Sequence, residues 1–273
     1  MDYRSHVLAH GARCVSHLSQ GRESTSGGMG RITIPTNCMA IDELLGGGLR
    51  TGTLLLAYGE AETGKTTLAL QLAVNCAGMG HKALFVDCDG ALRPEKVRAM
   101  TGGDPLVLEN LTVARPSTFE EQAVLIDSLV DFASAGLTFL AVDTMTTLYR
   151  LKLSEEAERE SDEEKRREIF FAMNRELARQ MGVLAEMAHS YDMAIVVTSQ
   201  VRARPSGPAL MGELGSVEPV ASRIMKFWAD VVLCLRLSGQ PGLRIAALEK
   251  SQILGLVGAT RLFRITGEGV VDV

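Results

Sequence analysis

One short stretch, residues 59 to 66, constrains the fold of this chain more than any other. It reads GEAETGKT and matches the pattern GxxxxGK[ST] through Gly59, Gly64, Lys65 and Thr66. The apolar run TLLLAY precedes it, and a helical pattern over about 65–78 follows it. This order of strand, loop and helix is the context that the motif requires, whereas a chance match has a probability of roughly one per cent. The stretch therefore predicts a phosphate-binding loop (P-loop).

The residue types of this P-loop indicate how it would bind a nucleotide. Glycines let the backbone approach phosphate oxygens closely, and the N-terminus of the following helix offers partial positive charge. Lys65 adds a full charge beside the terminal phosphates, and Thr66 supplies a hydroxyl ligand for Mg²⁺. We therefore predict a site for ATP and Mg²⁺. The predicted nucleotide-binding residues are Gly59, Glu60, Ala61, Glu62, Thr63, Gly64, Lys65, Thr66 and Thr67.

Polar residues at strand ends complete the predicted site. The strand TFLAVD ends in Asp143, which is the carboxylate that a metal-bound triphosphate needs beside the P-loop. The strand next to the P-loop strand is expected to end in VDCDG, where Asp89 is the candidate base for hydrolysis. Capping a helix or a turn is the alternative role for Asp87 or Asp89. Gln200 ends the strand AIVVTSQ and is predicted to sense the terminal phosphate, although a lone glutamine there is more often a solvated polar residue. The predicted catalytic residues are thus Lys65, Asp89 and Gln200, and the predicted metal ligands are Thr66 and Asp143.

Short apolar runs alternate with helical patterns from Ile41 onward, which is typical of βαβ units and a largely parallel sheet. Predicted strands begin at residues 53, 82, 111, 138 and 194, and predicted helices cover about 65–78, 118–135 and 165–190. After residue 230, three strand-like runs separated by glycine-bearing turns indicate an antiparallel meander at the edge of the sheet. We predict an α/β fold: a P-loop NTPase core with a mostly parallel twisted sheet, flanking helices and a C-terminal antiparallel meander.

The last of these helices carries an apolar stripe and follows a dense run of charges. Phe170, Met173, Leu177, Leu184 and Ala188 recur at spacings of three, four or seven, so we predict that they pack in the core. The charge run SEEAERESDEEKRRE at 154–168 is typical of a solvated helix start or a mobile loop.

The N-terminal stretch and the composition limit the class of protein. Residues 1–28 show no sustained period and end in a Ser/Gly-rich tract, so we expect a disordered extension before a core domain at 29–273, with Met29 as an alternative first residue. No apolar run approaches the ~18–20 residues that span a bilayer.

The five cysteines are widely spaced without a CxxC pair, so we expect neither a disulfide framework nor a zinc site. We also expect a cytoplasmic location, because free cysteines are typical of a reducing compartment. The net charge of −5 neither supports nor excludes local nucleic-acid binding.

Several stretches beyond the P-loop resemble the RecA-type recombinase superfamily. IDELLGGGLRTGTLLLAYGEAETGKTTLALQLA is similar to the opening of the RecA-like core. FVDCDGALRPEKV is similar to the family's strand ending in Asp-Thr-Glu-Gly before Arg-Pro-Glu, and VVTSQV to its strand ending in Asn-Gln-Val. From about residue 29 to 273 the resemblance narrows to the archaeal RadB paralogues, most clearly in the C-terminal PGLRIAALEKSQILGLVGATRLFRITGEGVVDV. The resemblance implies a RecA-like fold and a role in DNA repair and homologous recombination.

The same resemblance implies DNA binding. The balance of Arg150 and Lys152 against the acidic run that begins at Glu155 predicts that this binding is weak, salt-sensitive and mainly to the phosphates of single strands. In RecA-like cores two loops at the carboxyl edge of the sheet face the DNA. The matching positions in this chain begin near 146–152 for the first loop and span about 202–217 for the second. For the second, an ordinary mobile loop with solvated arginines is the alternative. The implied partners are a main recombinase of the RadA type and a Holliday-junction nuclease, with homo-oligomers as a further option. The predicted DNA-binding residues are Arg150, Lys152, Arg202 and Arg204.

Two departures from the family pattern bear on activity. Asp89 stands where the relatives carry glutamate, and its shorter side chain predicts slow hydrolysis. Glu60 and Glu62 make the P-loop unusually acidic, and we expect both side chains to point outward. Lys250 matches lysines that approach a neighbouring subunit's triphosphate in some RecA-like proteins, although an ordinary edge-strand lysine is equally consistent.

Three functions fit this sequence. The leading one is a RadB-like accessory protein and weak ATPase that uses ATP as a conformational or assembly switch. The second is a KaiC-like RecA-core ATPase that acts on protein partners without DNA. The third is a nucleotide-binding interaction module without turnover.

Overall fold

The computed structural model describes residues 31–203, 217–252 and 255–273. Its strands are β1 (Thr33–Ile34), β2 (Leu49–Arg50), β3 (Thr53–Gly59), β4 (Lys82–Asp87), β5 (Leu111–Ala114), β6 (Leu137–Asp143), β7 (Ala194–Ala203), β8 (Val217–Pro219), β9 (Val231–Leu237), β10 (Leu243–Lys250), β11 (Thr260–Ile265) and β12 (Val270–Val271). Its helices are α1 (Met39–Leu45), α2 (Lys65–Gly78), α3 (Pro94–Thr101), α4 (Pro105–Asn110), α5 (Phe119–Ser134), α6 (Thr147–Arg159), α7 (Glu163–Ser190) and α8 (Ser222–Trp228). The predictions for residues 1–28, for Arg204 and for most of the second DNA-facing region lie outside the described residues.

A ten-stranded sheet forms the centre of the molecule, with the strand order β12-β11-β10-β9-β3-β7-β6-β4-β5 and with β8 paired to the end of β7. Neighbouring strands from β9 to β5 run parallel, and β9 to β12 pair in antiparallel succession. Both the mostly parallel sheet and the C-terminal meander are therefore confirmed.

The expected position of β4 beside β3 is wrong. β7 and β6 lie between these strands, and β3 pairs with β7 on one side and with β9 on the other. Local periodicity identifies strands, but the helical crossovers between them leave their order in the sheet open. The P-loop consequently lies beside the carboxyl end of β7, and the aspartates that end β4 lie further along the same edge.

Helices cover both faces of the sheet. Successive residues of β3 alternate between two core layers: Leu55 and Ala57 pack with α1 and α2, while Leu54 and Leu56 pack with α5, α7 and α8. A strand that is buried on both faces needs apolar residues at every position, which explains the continuous run TLLLAY. Among the described residues, no helix combines the length and apolarity needed to cross a membrane.

Helix α6 was not predicted, whereas α7 confirms the helix predicted over about 165–190. The region near 146–152, expected to begin a DNA-facing loop, is the start of α6, and the charge run 154–168 spans the end of α6 and the start of α7. Intrahelical ion pairs such as Lys152–Glu156, at 3.0 Å, stabilise these turns without an apolar period. Asp162 caps α7 by accepting hydrogen bonds from two backbone amides.

The apolar stripe of α7 is only partly a core feature. Leu177, Leu184 and Ala188 are buried, but 45% of Phe170 is exposed, so its predicted burial is wrong. At 1.5 Å per residue the 28 residues of α7 span about 42 Å, and its buried residues begin only at Leu177. Met173 is partly buried and packs against the core, so only the turns of α7 before it extend past the core.

Gln71 of α2 ties the two ends of the core domain together. Its Nε2 donates to the backbone oxygens of Thr36 and Val270, and its Oε1 accepts from the amide of Val270 at 2.6 Å. All three residues are buried. The P-loop helix is thereby held to the segment after β1 and to the C-terminal strand β12.

Replacing Gln71 with alanine is expected to lower the free energy of unfolding by about 3 kcal/mol, because buried backbone groups lose their partners. Urea unfolding would measure the change. The exposed Gln240 supplies the control, since Gln240→Ala should alter stability by less than about 0.5 kcal/mol. Equal stabilities for the two variants would show that the Gln71 bonds contribute nothing net.

Candidate nucleotide-binding site

Close packing fixes the glycines of the P-loop. A Cβ on Gly59 would lie 2.0 Å from the backbone oxygen of Leu235, and one on Gly64 would lie 2.9 Å from Ile265 Cδ1. Gly64 also has a φ of 100°, in the left-handed region that favours glycine. The loop between β3 and α2 thus requires glycine at both ends of the motif.

Lys65 lies inside the P-loop with 7% of its surface exposed. Its Nζ donates to the backbone oxygens of Gly59, at 2.9 Å, and Glu60, at 2.6 Å. Burial lowers the pKa of Lys65, while the negative charges of Asp143, Asp89 and Glu60 oppose that shift. The ammonium group is therefore held by its own loop, in a position from which phosphate oxygens can replace the carbonyl acceptors.

Thr66 and Asp143 meet beside Lys65. The Thr66 hydroxyl donates to Asp143 Oδ2 at 2.7 Å, and the Thr198 hydroxyl donates to Asp143 Oδ1. Burial raises the pKa of Asp143, and the hydrogen bonds from the two threonines lower it. A hydroxyl and a carboxylate in contact form the hard-oxygen donor set that Mg²⁺ prefers.

The start of α2 also fits a triphosphate. Within the described part of the chain, no side chain caps this helix, so the amides of its first turn remain available to an anion. Together with Lys65, Thr66 and Asp143, these amides fit ATP with Mg²⁺.

Asp87 and Asp89 have different surroundings. Asp87 is buried, accepts hydrogen bonds from the amides of Ala91 and Leu92, and pairs with Arg115 at 3.1 Å. Asp89 is exposed and accepts a hydrogen bond from the Thr144 hydroxyl at 3.3 Å. Thr144 directly follows Asp143 in the chain. Asp87 therefore holds a turn, and Asp89 is the carboxylate that remains near the candidate site.

Gln200 lies beside the first residue of the P-loop. It pairs with Gly59 in the register of β7 and β3, and its Oε1 accepts a hydrogen bond from Arg150 of α6 at 3.0 Å. This contact connects the predicted nucleotide edge of the sheet with the first of the two regions predicted to face DNA.

Of the predicted DNA-binding residues, the structure describes the side chains of Arg150 and Lys152. Arg150 is exposed and contacts Gln200, whereas Lys152 forms ion pairs with Glu120 at 3.1 Å and with Glu156 at 3.0 Å. Arg202 lies in β7, where its backbone pairs with that of Glu218. Arg150 is thus the member of this group whose position joins the two predicted sites.

Two further cations contact the P-loop region and were missed from the sequence. Lys96 of α3 donates to the Thr67 hydroxyl at 2.9 Å, and Arg244 of β10 donates to the backbone oxygen of Glu62 at 2.8 Å. The basic residue after RPE was the available signal for Lys96. No sequence signal pointed to Arg244, because β10 approaches the P-loop only through the pairing of β9 with β3.

Glu60 and Glu62 are exposed, as expected, so the acidic side chains of the P-loop face solvent.

A glycine-fixed P-loop between strand and helix, and an aspartate that ends a parallel strand of the same sheet, define a RecA-like P-loop NTPase core. The family model described as Rad51 matches residues 29–273. The chain therefore belongs to the Rad51 family and groups there with the DNA repair and recombination proteins called RadB.

Relatives and a solved structure support this assignment. The DNA repair and recombination protein RadB of Archaeoglobus fulgidus is 34% identical over 89% of this chain and 99% of its own length. RadB of Methanothermobacter thermautotrophicus is 30% identical over 87% of this chain and 95% of its own length. A crystal structure of the RadB recombinase aligns with a TM-score of 0.67 and 31% identity, covering 88% of this chain and 99% of that one.

Proposed function

We propose that this protein assists homologous recombination by binding ATP, Mg²⁺ and DNA, and that it uses the bound nucleotide as a switch with slow turnover. The observation that carries the proposal is the contact of the Thr66 hydroxyl with the Asp143 carboxylate beside the buried Lys65. The match of the family model from residue 29 onward supports a core domain that begins there. By the same family membership we propose a RadA-type recombinase as the partner.

Each polar residue of the site has a distinct task in this proposal. Lys65 exchanges its two carbonyl acceptors for oxygens of the terminal phosphates. Thr66 and Asp143 would hold Mg²⁺, which would neutralise phosphate charge when bound. Asp89 orients the attacking water, and Gln200 reports the terminal phosphate to Arg150 through their hydrogen bond. These are predictions that rest on the geometry of the site.

Replacing Asp89 with glutamate is expected to raise the rate of ATP hydrolysis about tenfold, which corresponds to 1.36 kcal/mol of barrier. The longer side chain should reach a water near the terminal phosphate that aspartate approaches poorly, and general-base catalysis contributes factors of this size or more. Phosphate release under saturating ATP and Mg²⁺ would measure the change. Asp89→Asn is the matched control and should be slower than the natural protein; equal rates in all three proteins would remove Asp89 from the mechanism.

Single-stranded DNA binding tests the recombination function. Fluorescence anisotropy of a labelled oligonucleotide should show binding at low salt that weakens roughly twentyfold between 50 and 200 mM salt, as about three phosphate contacts require. Replacing Arg150 with alanine should lower the salt dependence by about one contact. Arg159→Ala is the control, because Arg159 lies at the exposed end of the same helix. Absence of binding at low salt would overturn the DNA-binding proposal and favour an ATPase that acts on protein partners.

A further inference from the structure

Lys250 holds the C-terminus of α8 within its own chain. Its Nζ donates to the backbone oxygens of Lys226, at 3.1 Å, and of Ala229. A lysine at the C-terminus of a helix satisfies free carbonyls and interacts favourably with the helix dipole. The ammonium group of Lys250 is therefore bound to the C-terminus of α8 in its own chain.

The preceding residue, Glu249, joins α8 to the P-loop strand. Its Oε2 accepts a hydrogen bond from Lys226 Nζ of α8 at 2.8 Å, and its Oε1 accepts one from the Tyr58 hydroxyl of β3 at 2.6 Å. Lys226 Nζ also lies 5.0 Å from the centroid of the Tyr58 ring. Tyr58 is 1% exposed, whereas the side chains of Lys226 and Glu249 are 33% and 28% exposed. The three side chains form one partly buried cluster, which we call the Tyr58 cluster.

The Tyr58 cluster lies between the two ends of the proposed switch. Tyr58 immediately precedes Gly59, whose backbone oxygen holds Lys65. On the other side, α8 follows β8, where the chain returns from the second DNA-facing region, and the amide of Val220 donates to the backbone oxygen of Gln200 at 3.0 Å. The backbone next to Tyr58 thus carries one of the two acceptors for which a bound phosphate would compete.

We infer that Tyr58, Glu249 and Lys226 are positioning residues that transmit nucleotide binding from the P-loop strand to α8 and thus to the return of the second DNA-facing region. This inference rests on the proposed nucleotide site. It assigns a connection to that second region, separate from the hydrogen bond of Arg150 with Gln200, which leads to the first predicted DNA-facing region. The Tyr58 hydroxyl and the Lys226 ammonium group both donate to the carboxylate of Glu249, so transmission through this cluster requires both contacts.

Hydrogen exchange of the full chain, with and without ATP and Mg²⁺, tests the inference. In the natural protein, the nucleotide should protect the amides of α2 and change the exchange of the α8 amides at least about fivefold, the lower range of typical coupling. Tyr58→Phe and Glu249→Gln should retain the α2 protection and lose most of the α8 response. Both substitutions are close in shape to the natural residue, so either one suffices if the other fails to fold.

Arg261→Met supplies the matched control, since it removes the exposed ion pair of Arg261 with Glu43, at 2.8 Å, far from α8 in sequence. This control should keep both responses. If the natural protein shows α2 protection without any α8 response, or if the two cluster variants respond as the natural protein does, the inference is overturned while the nucleotide site stands. If α2 is not protected at all, the proposed nucleotide function fails and the inference fails with it.

Discussion

Replacing Lys65 with alanine is expected to weaken ATP binding by at least about 100-fold. The ammonium group has two backbone acceptors in a buried position, and phosphate oxygens in their place would form two charge-assisted hydrogen bonds of about 1.5–3 kcal/mol each. A loss of about 3 kcal/mol corresponds to roughly 100-fold in affinity. Titration with a fluorescent ATP analogue in the presence of Mg²⁺ would measure it.

Lys165→Ala is the control for this experiment. Lys165 lies near the start of α7, where its Nζ is 3.9 Å from Glu160, and 63% of its side chain is exposed. Its replacement should leave ATP affinity unchanged. Similar affinities of the Lys65→Ala variant and the natural protein would mean that GEAETGKT is not the nucleotide site.

Replacing Asp143 with asparagine is expected to reduce ATP hydrolysis by at least about 100-fold, because bound Mg²⁺ supplies several kcal/mol of charge stabilisation in such sites. The amide is neutral and a poor magnesium ligand, but its oxygen can still accept the hydrogen bond from Thr198. The fold should therefore be retained, which a thermal melt would verify. Radiolabelled phosphate release over hours would measure the rate.

The control for the Asp143→Asn experiment is Asp131→Asn, which changes an exposed aspartate in the same way. This variant should hydrolyse ATP at the natural rate. The affinity for ATP without Mg²⁺ should not fall in the Asp143 variant, because the carboxylate does not attract phosphate. Natural hydrolysis and natural magnesium dependence after Asp143→Asn would exclude this residue from the metal site.

Local sequence patterns predicted the parts of the fold that depend on local structure. The P-loop could be located because GxxxxGK[ST] stood between an apolar run and a helical pattern, and strands β3 to β7 begin within a residue of their predicted positions. The stripe on α7 failed at Phe170 because helical periodicity identifies a face but does not tell how far along the helix its neighbours extend. Helix α6 was missed because ion pairs rather than apolar spacing stabilise it.

The contacts of the candidate site depended more on long-range structure. Asp143 was recognised as the end of an apolar strand, yet its bond to Thr198 requires the pairing of β6 with β7. Arg244 and Glu249 approach the P-loop strand only because the meander places β10 two strands from β3. Lys250, for which the sequence offered a role toward a neighbouring subunit, contacts backbone oxygens of its own chain. The spacing of residues along the sequence does not predict which strands pair, and these contacts depend on that pairing.

In the proposed function ATP acts as a switch, in which nucleotide binding changes the protein's affinity for DNA and hydrolysis only resets it. We predict slow turnover because Asp89 stands where the relatives carry glutamate. We propose that the contacts of Gln200 and of the Tyr58 cluster link the P-loop to the predicted DNA-facing regions. A ligand shifts such an equilibrium only by its difference in affinity for the two states. The effect of ATP on DNA affinity is therefore the quantity to measure.

The most direct test compares single-stranded DNA affinity without nucleotide, with ATP and Mg²⁺, and with ADP and Mg²⁺, while phosphate release is followed in the same samples. We expect DNA affinities that differ at least about fivefold between the ATP and ADP states, with turnover below the ~1 s⁻¹ that marks the slow end of typical enzymes. Equal DNA affinity in all three conditions, or no DNA binding even at low salt, would contradict the proposed function.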